Sequence, residues 1–446
     1  MNNSTPTWHK RTVMIIGLIL AIMGLPFTIN LLCIVPLLLI NSSGSDAAIY
    51  GVVSLTFALL TFGAGAVAYI HGNRALKDKP SNPIRFTLQP MLMLGAFILL
   101  LSIGLVFQSS DFAVAILFPP IMLACAMLPP LWAVIWMIPR AQQKQVKEPS
   151  EEHQEGELNQ PSLSWRRGLL AFTGGATVSV FIAIVLEILL PVVIFALISD
   201  LADTVADSMR VVFRELSSRD VANALTDRGF IYLFTQLAII APLAEEIAKP
   251  LVVLPLVRNL NKQETFWIGA LAGAGFAALE NVVYATSGFY IWAGILLVRA
   301  LGSALHPLGS GLVALGWRDV LRGEKDAGKN WWKRFGIATT VHAVWNGGSL
   351  LVISLGGARF FGDLPPEIDI LGLSAAGTTL AFLIILGISA LWIGRAYGHD
   401  KPFLLSEGTS DEERFIPSDR AAAIWAIACL IAIVPAGIAG LKLWLP

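Results

Sequence analysis

A succession of long apolar runs separated by short charged loops dominates the chain. Crossing the hydrocarbon core of a bilayer as a helix takes about 17–25 apolar residues. Segments of that kind fall near 12–40, 47–70, 91–108, 112–138, 168–198, 230–257, 266–287, 289–316, 336–355, 369–395 and 422–444. Backbone N–H and C=O groups cannot go unpaired in lipid, so each segment must close its own hydrogen bonds as a helix. The reading is an all-α polytopic membrane helix bundle of about 11 transmembrane helices. Gly24 and Pro26 interrupt the first run, and two shorter segments are the alternative there. The apolar region of a cleaved signal sequence is shorter, so the run after Lys10 and Arg11 is expected to be a retained span.

Composition agrees. Apolar residues make up 55% of the chain and charged residues 14%, against about 25% charged in a soluble domain; mean hydropathy is +0.70. Lys+Arg and Asp+Glu are both 31, so no net positive charge points to nucleic acid, and none is expected as a partner; the lipid bilayer is. Cys33, Cys125 and Cys429 all lie inside apolar runs, which leaves neither a disulfide framework nor a cysteine metal site. Basic residues alternate from loop to loop. With the N-terminus inside, the outer segments hold only Arg210, Arg214, Arg219, Arg228, Arg359 and Lys442. Cytoplasmic loops carry the excess of Lys and Arg, so the N-terminus is expected inside and the C-terminus outside.

The chain divides by composition into an N-terminal membrane region of about four spans over 1–140, a disordered cytoplasmic linker over 141–167, a membrane core over 168–355, and a C-terminal pair of spans with a cytoplasmic loop over 356–446. Between the spans at 168–198 and 230–257, Leu201, Val205, Met209, Val212, Phe213 and Leu216 recur at helical spacing against charged residues. That pattern predicts a helix lying in the outer interface.

Few ionisable residues lie within the apolar runs: Glu187, Glu245, Glu246, Lys249, Glu280, Arg299, His306 and His342. A charge at the bilayer centre costs roughly 2.5–3.5 kcal/mol on insertion scales and must face protein or a wet cavity. All but Glu187 fall in four consecutive spans, and Glu245, Glu280, Arg299, His306, His342 and Asn346 lie within roughly 6 Å of their helix midpoints at the rise of an α-helix. One layer of the membrane therefore holds the polar chemistry. Gly269, Gly273, Phe276 and Glu280 share a helix face, as do Arg299, Ser303, His306 and Ser310. The small-residue stripe should let a neighbouring helix approach and bury Glu280. Pro242 and Pro250 bracket the paired glutamates, and backbone broken at this depth is tolerated where it is packed in protein or lines a cavity.

Taken singly, each residue has a plain structural role. Glu245 or Glu246 can pair with Lys249, Arg299 can neutralise a glutamate, and a membrane histidine can bond a neighbouring helix. Taken together they suit hydrolysis. A zinc site uses three N/O ligands and an open position, for which Glu280, His306 and His342 are the natural candidates. Without a metal, Glu245 activates water directly while a histidine and Asn346 stabilise the developing charge. A proton-coupled membrane transporter would use the same layer.

Glu245-Glu-Ile-Ala-Lys249, Phe276-Ala-Ala-Leu-Glu-Asn281, His306-Pro-Leu-Gly-Ser-Gly311 and His342-Ala-Val-Trp-Asn346 follow one another on consecutive spans. They resemble the EExxK, FxxxEN, HxxxxG and HxxWN blocks of the PrsW-type intramembrane proteases, themselves distantly similar to the CPBP group that includes the CAAX prenyl endopeptidases and bacteriocin-immunity proteins. The resemblance covers roughly 168–355. It implies an intramembrane endopeptidase of the bacterial cytoplasmic membrane that cuts a membrane-anchored protein substrate, such as an anti-sigma factor in stress signalling. It also implies Glu245 as general base and Glu246 oriented by or paired to Lys249, or the two with roles exchanged, Glu280, His306 and His342 around a divalent metal (zinc) or an activated water, and Asn281 and Asn346 as orienting or oxyanion-stabilising groups. A non-catalytic immunity or scaffold protein is the remaining alternative.

Overall fold

A computed structural model describes residues 7–77, 79, 89–138, 164–191, 228–257, 260–360, 370–399 and 418–442. The helices, in chain order, are α1 (Trp8–Asn41), α2 (Gly44–Leu76), α3 (Pro90–Phe107), α4 (Asp111–Ile116), α5 (Phe118–Met137), α6 (Trp165–Pro191), α7 (Arg228–Thr235), α8 (Ala241–Leu251), α9 (Leu254–Val257), α10 (Lys262–Ser287), α11 (Trp292–Leu301), α12 (Leu305–Leu321), α13 (Ala327–Phe360), α14 (Ile370–His399) and α15 (Asp419–Lys442). Among the described residues, seven helices are long and apolar enough to cross a membrane, or up to eight when the bent pair Phe289–Leu301 and Leu305–Leu321 counts as one span. The other apolar segments are helical as well, and 230–257 is divided into short pieces. The interface helix expected over 199–229 lies almost wholly outside the described residues, as does most of the 141–167 linker. Residues at the linker's expected end already belong to α6, whose first turn is closed by Ser164 Oγ accepting from the Arg167 N–H at 3.2 Å.

Local chemistry sets the helix ends and breaks. Ser43 caps α2 through the Asp46 N–H at 3.1 Å, and the Asp111 carboxylate accepts the neighbouring Gly44 N–H at 3.2 Å. Asn261 and Glu264 form a reciprocal capping box at the start of α10. Pro242, Pro250 and Pro255 lack backbone donors, and here the chain passes through a wide π turn (Gln236–Ile240), α8, and a tight turn into α9. The expected span over 289–316 is likewise two helices meeting at 42°, with the break at Gly302–Ala304. A Cβ on Gly302 would run into the Trp345 indole.

Helix α10 is the axis of the bundle. Its apolar window is 83% buried, against 22% for α3 and for the α14 window, so protein surrounds it where those helices face outward. Glycines permit this. A Cβ on Gly269 would lie 2.7 Å from the Ser310 carbonyl of α12, and one on Gly273 would strike the His306 carbonyl. On another side of α10, a Cβ on Gly275 would strike the Phe172 carbonyl, and one on Gly175 of α6 the Ala272 carbonyl. Small-residue contact is the usual means by which membrane helices approach closely. We expect Gly275→Ala to lower the unfolding midpoint in detergent. Gly336→Ala, on an exposed helix face with nothing within 4 Å, should leave it unchanged or raise it, because alanine favours the helix by about 0.5–1 kcal/mol. Similar midpoints for the two variants would contradict the close packing of α6 and α10.

The N-terminal helices do not stand apart. Ala48 and Val52 of α2, Phe97 of α3, Phe118 and Met122 of α5, Val282 and Ala285 of α10 and Trp292 of α11 form one buried cluster.

Candidate active site

Four elements bring their polar residues to one place. On α8, Glu245, Glu246 and Lys249 are all buried, and Lys249 is 0% exposed. The proline-rich backbone around them is satisfied from neighbouring helices. In the π turn each carbonyl looks for the N–H five residues on, as when the Ala241 N–H donates to Gln236. The corresponding donor for Leu237 would be Pro242, which has none, and Asn346 Nδ2 of α13 supplies the bond at 3.0 Å. Ser179 of α6 donates through Oγ to the Lys249 carbonyl at 3.0 Å.

Lys249 Nζ lies 2.8 Å from Glu246 Oε1 and 2.9 Å from Glu245 Oε2, and 4.7 Å from the centre of the Phe276 ring. Glu246 Oε1 also lies 2.9 Å from His342 Nδ1. A carboxylate can only accept, so His342 carries its proton on Nδ1 and keeps a lone pair on Nε2. That lone pair faces Glu245 Oε2 at 3.8 Å. His306 repeats the arrangement with its nitrogens exchanged. Its Nε2 is 3.3 Å from Glu280 Oε2, and its Nδ1 is 3.9 Å from Glu245 Oε2. Glu280 is held in turn by Arg299 at 2.6 Å. Phe276 stacks beside the His306 ring at 25°, and the two imidazoles meet edge to face with centroids 4.8 Å apart.

Glu245, His306 and His342 therefore converge, each offering a ligand atom within 4.8 Å of the others. Glu245 Oε2 meets only the Lys249 ammonium, while His306 Nδ1 and His342 Nε2 are buried without a hydrogen-bond partner. Leaving such atoms unmatched is costly. A divalent cation would take a lone pair from each of the three ligand atoms at once. Ligands at about 2.0–2.2 Å from one cation lie within about 4.4 Å of each other, so only a small inward movement would close the group. Charge points the same way. With the carboxylates ionised and both imidazoles neutral, Glu245, Glu246 and Glu280 outnumber Lys249 and Arg299, and a buried excess of negative charge calls for a counter-ion. His342 also gives its second nitrogen to the Glu246 carboxylate, and that of His306 lies 3.3 Å from Glu280 Oε2, carboxylate neighbours being the usual support for a metal-bound imidazole.

The sequence-based ligand set and the convergent group differ in one carboxylate. Glu280 was expected beside the two histidines, but it sits at the far nitrogen of His306, claimed by Arg299, and Glu245 takes its place in the convergent group. Asn281 and Asn346, expected at the reacting centre, both donate to backbone carbonyls, of Ala126 and Leu237. Arg299 does neutralise a glutamate, and the Gly269–Gly273 stripe does admit a neighbour, α12. Glu187 of α6 lies half-buried within Coulomb range of Glu280 and Lys249, while its backbone carbonyl accepts from Gln236 at 3.2 Å. Sequence reasoning missed Gly309: a Cβ there would stand 2.6 Å from Glu246 Oε2. Its spacing of three residues from His306 on one helix face is the signal that could have found it.

Fold and centre define a polytopic membrane protein with a buried carboxylate–histidine site suited to a divalent cation. Residues 164–365 match the family described as PrsW family intramembrane metalloprotease. No curated protein and no solved structure matches the chain. The matched region runs from the start of α6 past α13 and contains every residue of the centre; α1–α5, α14 and α15 lie outside it.

Proposed function

We propose that the chain is a zinc-dependent intramembrane endopeptidase of the bacterial cytoplasmic membrane, N-terminus inside, that hydrolyses a peptide bond of a membrane-anchored protein such as an anti-sigma factor. The observation that carries this reading is the convergence of three buried ligand atoms from α8, α12 and α13 within a PrsW-type region. Glu245, His306 and His342 would hold the cation. When bound, a zinc ion of this kind lowers the pKa of its water and polarises a carbonyl.

The protein's own groups have separable tasks. Glu246 uses Oε1 to fix the tautomer of His342 and to meet Lys249, while its Oε2 is buried and unpaired. Oε2 abuts Gly309, on the face of α12 that carries His306. It is the acceptor we assign to the proton leaving the attacking water, which makes Glu246 the general base and Glu245 a ligand, the exchange of roles that the adjacent glutamates allow. Glu280, braced by Arg299, fixes the tautomer of His306. Phe276 covers both His306 and Lys249, keeping bulk water off them.

The test is comparative membrane proteomics of cells carrying the wild-type chain or Glu245→Gln. A full-length membrane-anchored protein should accumulate in the variant, with its shortened product confined to the wild type. Identical membrane proteomes, under conditions in which both chains are expressed, would overturn the reading.

A further inference from the structure

We infer that α5, which lies outside the family region, is a positioning element of the site, and that Pro130 is the residue through which it acts. This rests on the proposed hydrolytic role for the kinetic part of its test only. In an α-helix the carbonyl of residue 126 bonds the N–H of residue 130. Residue 130 is a proline in the helix interior, so the Ala126 carbonyl has no partner on its own helix. Asn281 of α10 supplies the missing donor, Nδ2 to Ala126 O at 2.9 Å, in a buried contact.

This bond decides which way round the Asn281 amide sits. Its NH₂ group is committed to a carbonyl, so its oxygen must face the other way, and there it accepts from Arg299 Nε. Turned over, the amide would present donors to a guanidinium that has only donors. Arg299 then reaches Glu280 Oε2 at 2.6 Å with its terminal nitrogen, and the Glu280 charge stands 3.3 Å from His306 Nε2, where it favours the proton on that nitrogen. The last step leaves His306 Nδ1 as the free lone pair facing Glu245. A missing N–H on α5 is thus linked, through one amide and one ion pair, to the tautomer of a histidine on α12.

The surrounding packing supports a fixed relation between α5 and this relay. Phe118 and Met122 of α5 share a buried cluster with Val282, Ala285 and Trp292, and the Trp292 indole donates to Gln108 at 3.2 Å. Pro129 provides an internal control. It frees the Cys125 carbonyl by the same chemistry, but no side chain from the relay takes that carbonyl.

Pro130→Ala restores a backbone donor that competes with Asn281 for Ala126, whereas Pro129→Ala restores one that competes with nothing in the relay. With purified full-length protein and a cleavable membrane-anchored substrate, Pro130→Ala should lower kcat by about 10–100-fold, the usual effect of loosening a histidine's supporting partner, with KM nearly unchanged. Pro129→Ala should keep the wild-type kcat. Equal losses in the two variants, or full activity in Pro130→Ala, would overturn the inference. A second measurement needs no activity. In an Asn281→Ala background the Ala126 carbonyl is an orphan, so adding Pro130→Ala should raise the unfolding midpoint in detergent, while in the wild-type background it should not. Additive midpoint shifts would overturn the inference even if cleavage behaved as expected. Absence of any wild-type cleavage would sink the proposed function and leave the thermal cycle to decide this one.

Discussion

His342→Ala is expected to abolish cleavage and to strip the purified protein of its divalent cation, and His306→Ala to do the same. Glu280→Gln should retain the cation and lose only about 10–100-fold in kcat, the typical consequence of altering a partner one step from the ligand. The distinction follows from position. His306 Nδ1 and His342 Nε2 are the unpaired atoms facing Glu245, whereas Glu280 meets the opposite nitrogen of His306 and is already bound to Arg299. Glutamine at 280 keeps a polar oxygen beside His306 but brings no charge to it or to Arg299. Metal content by mass spectrometry of detergent-purified protein, read beside the cleavage rate, separates the two classes. Loss of the cation in Glu280→Gln as complete as in His306→Ala would return Glu280 to the ligand set.

Lys249→Met is expected to have the largest effect on stability. The ammonium is wholly buried and within 2.9 Å of a carboxylate oxygen on each of Glu245 and Glu246. Removing one partner of a buried ion pair costs about 3–5 kcal/mol, because the remaining charge is left without compensation. That is a large fraction of the roughly 5–15 kcal/mol by which folded proteins are stable. The variant should accumulate poorly in membranes and unfold at a markedly lower temperature in detergent. Adding Glu246→Gln should recover part of the loss, since it removes one of the two stranded negative charges. Wild-type melting of Lys249→Met would mean that another group neutralises the cluster.

Much of this arrangement was legible along the chain. Apolar segments long enough to span a bilayer become helices, because lipid offers no other partner to the backbone. The polar layer was legible too: the depth of a residue follows from its distance along its helix, and Glu245, Glu246, Lys249, Glu280, Arg299, His306 and His342 do meet. Pro242 marked broken backbone, and the structure has a π turn and a short helix there. The 42° bend before His306 was visible only as Gly302 and Pro307, and read as one continuous span.

What spacing within a helix could not decide is how each helix is rotated against its neighbours. That rotation is set by contacts between residues far apart in sequence, here the approach of Gly273 to the His306 carbonyl and of Gly275 to the Phe172 carbonyl. It determines that Glu245 joins the two histidines rather than Glu246, about 100° further round the same helix, or Glu280 of α10. It also determines the fate of Asn281 and Asn346. Each amide is drawn to a carbonyl that a proline has left open on another element. The sequence by itself determined the membrane helices, the polar layer and the residue types within it, because these depend on local geometry and the solvent around the chain. Only the tertiary structure decided which atoms in that layer remain unpaired, because pairing is settled between helices, and the unpaired atoms are the ones suited to hold a cation.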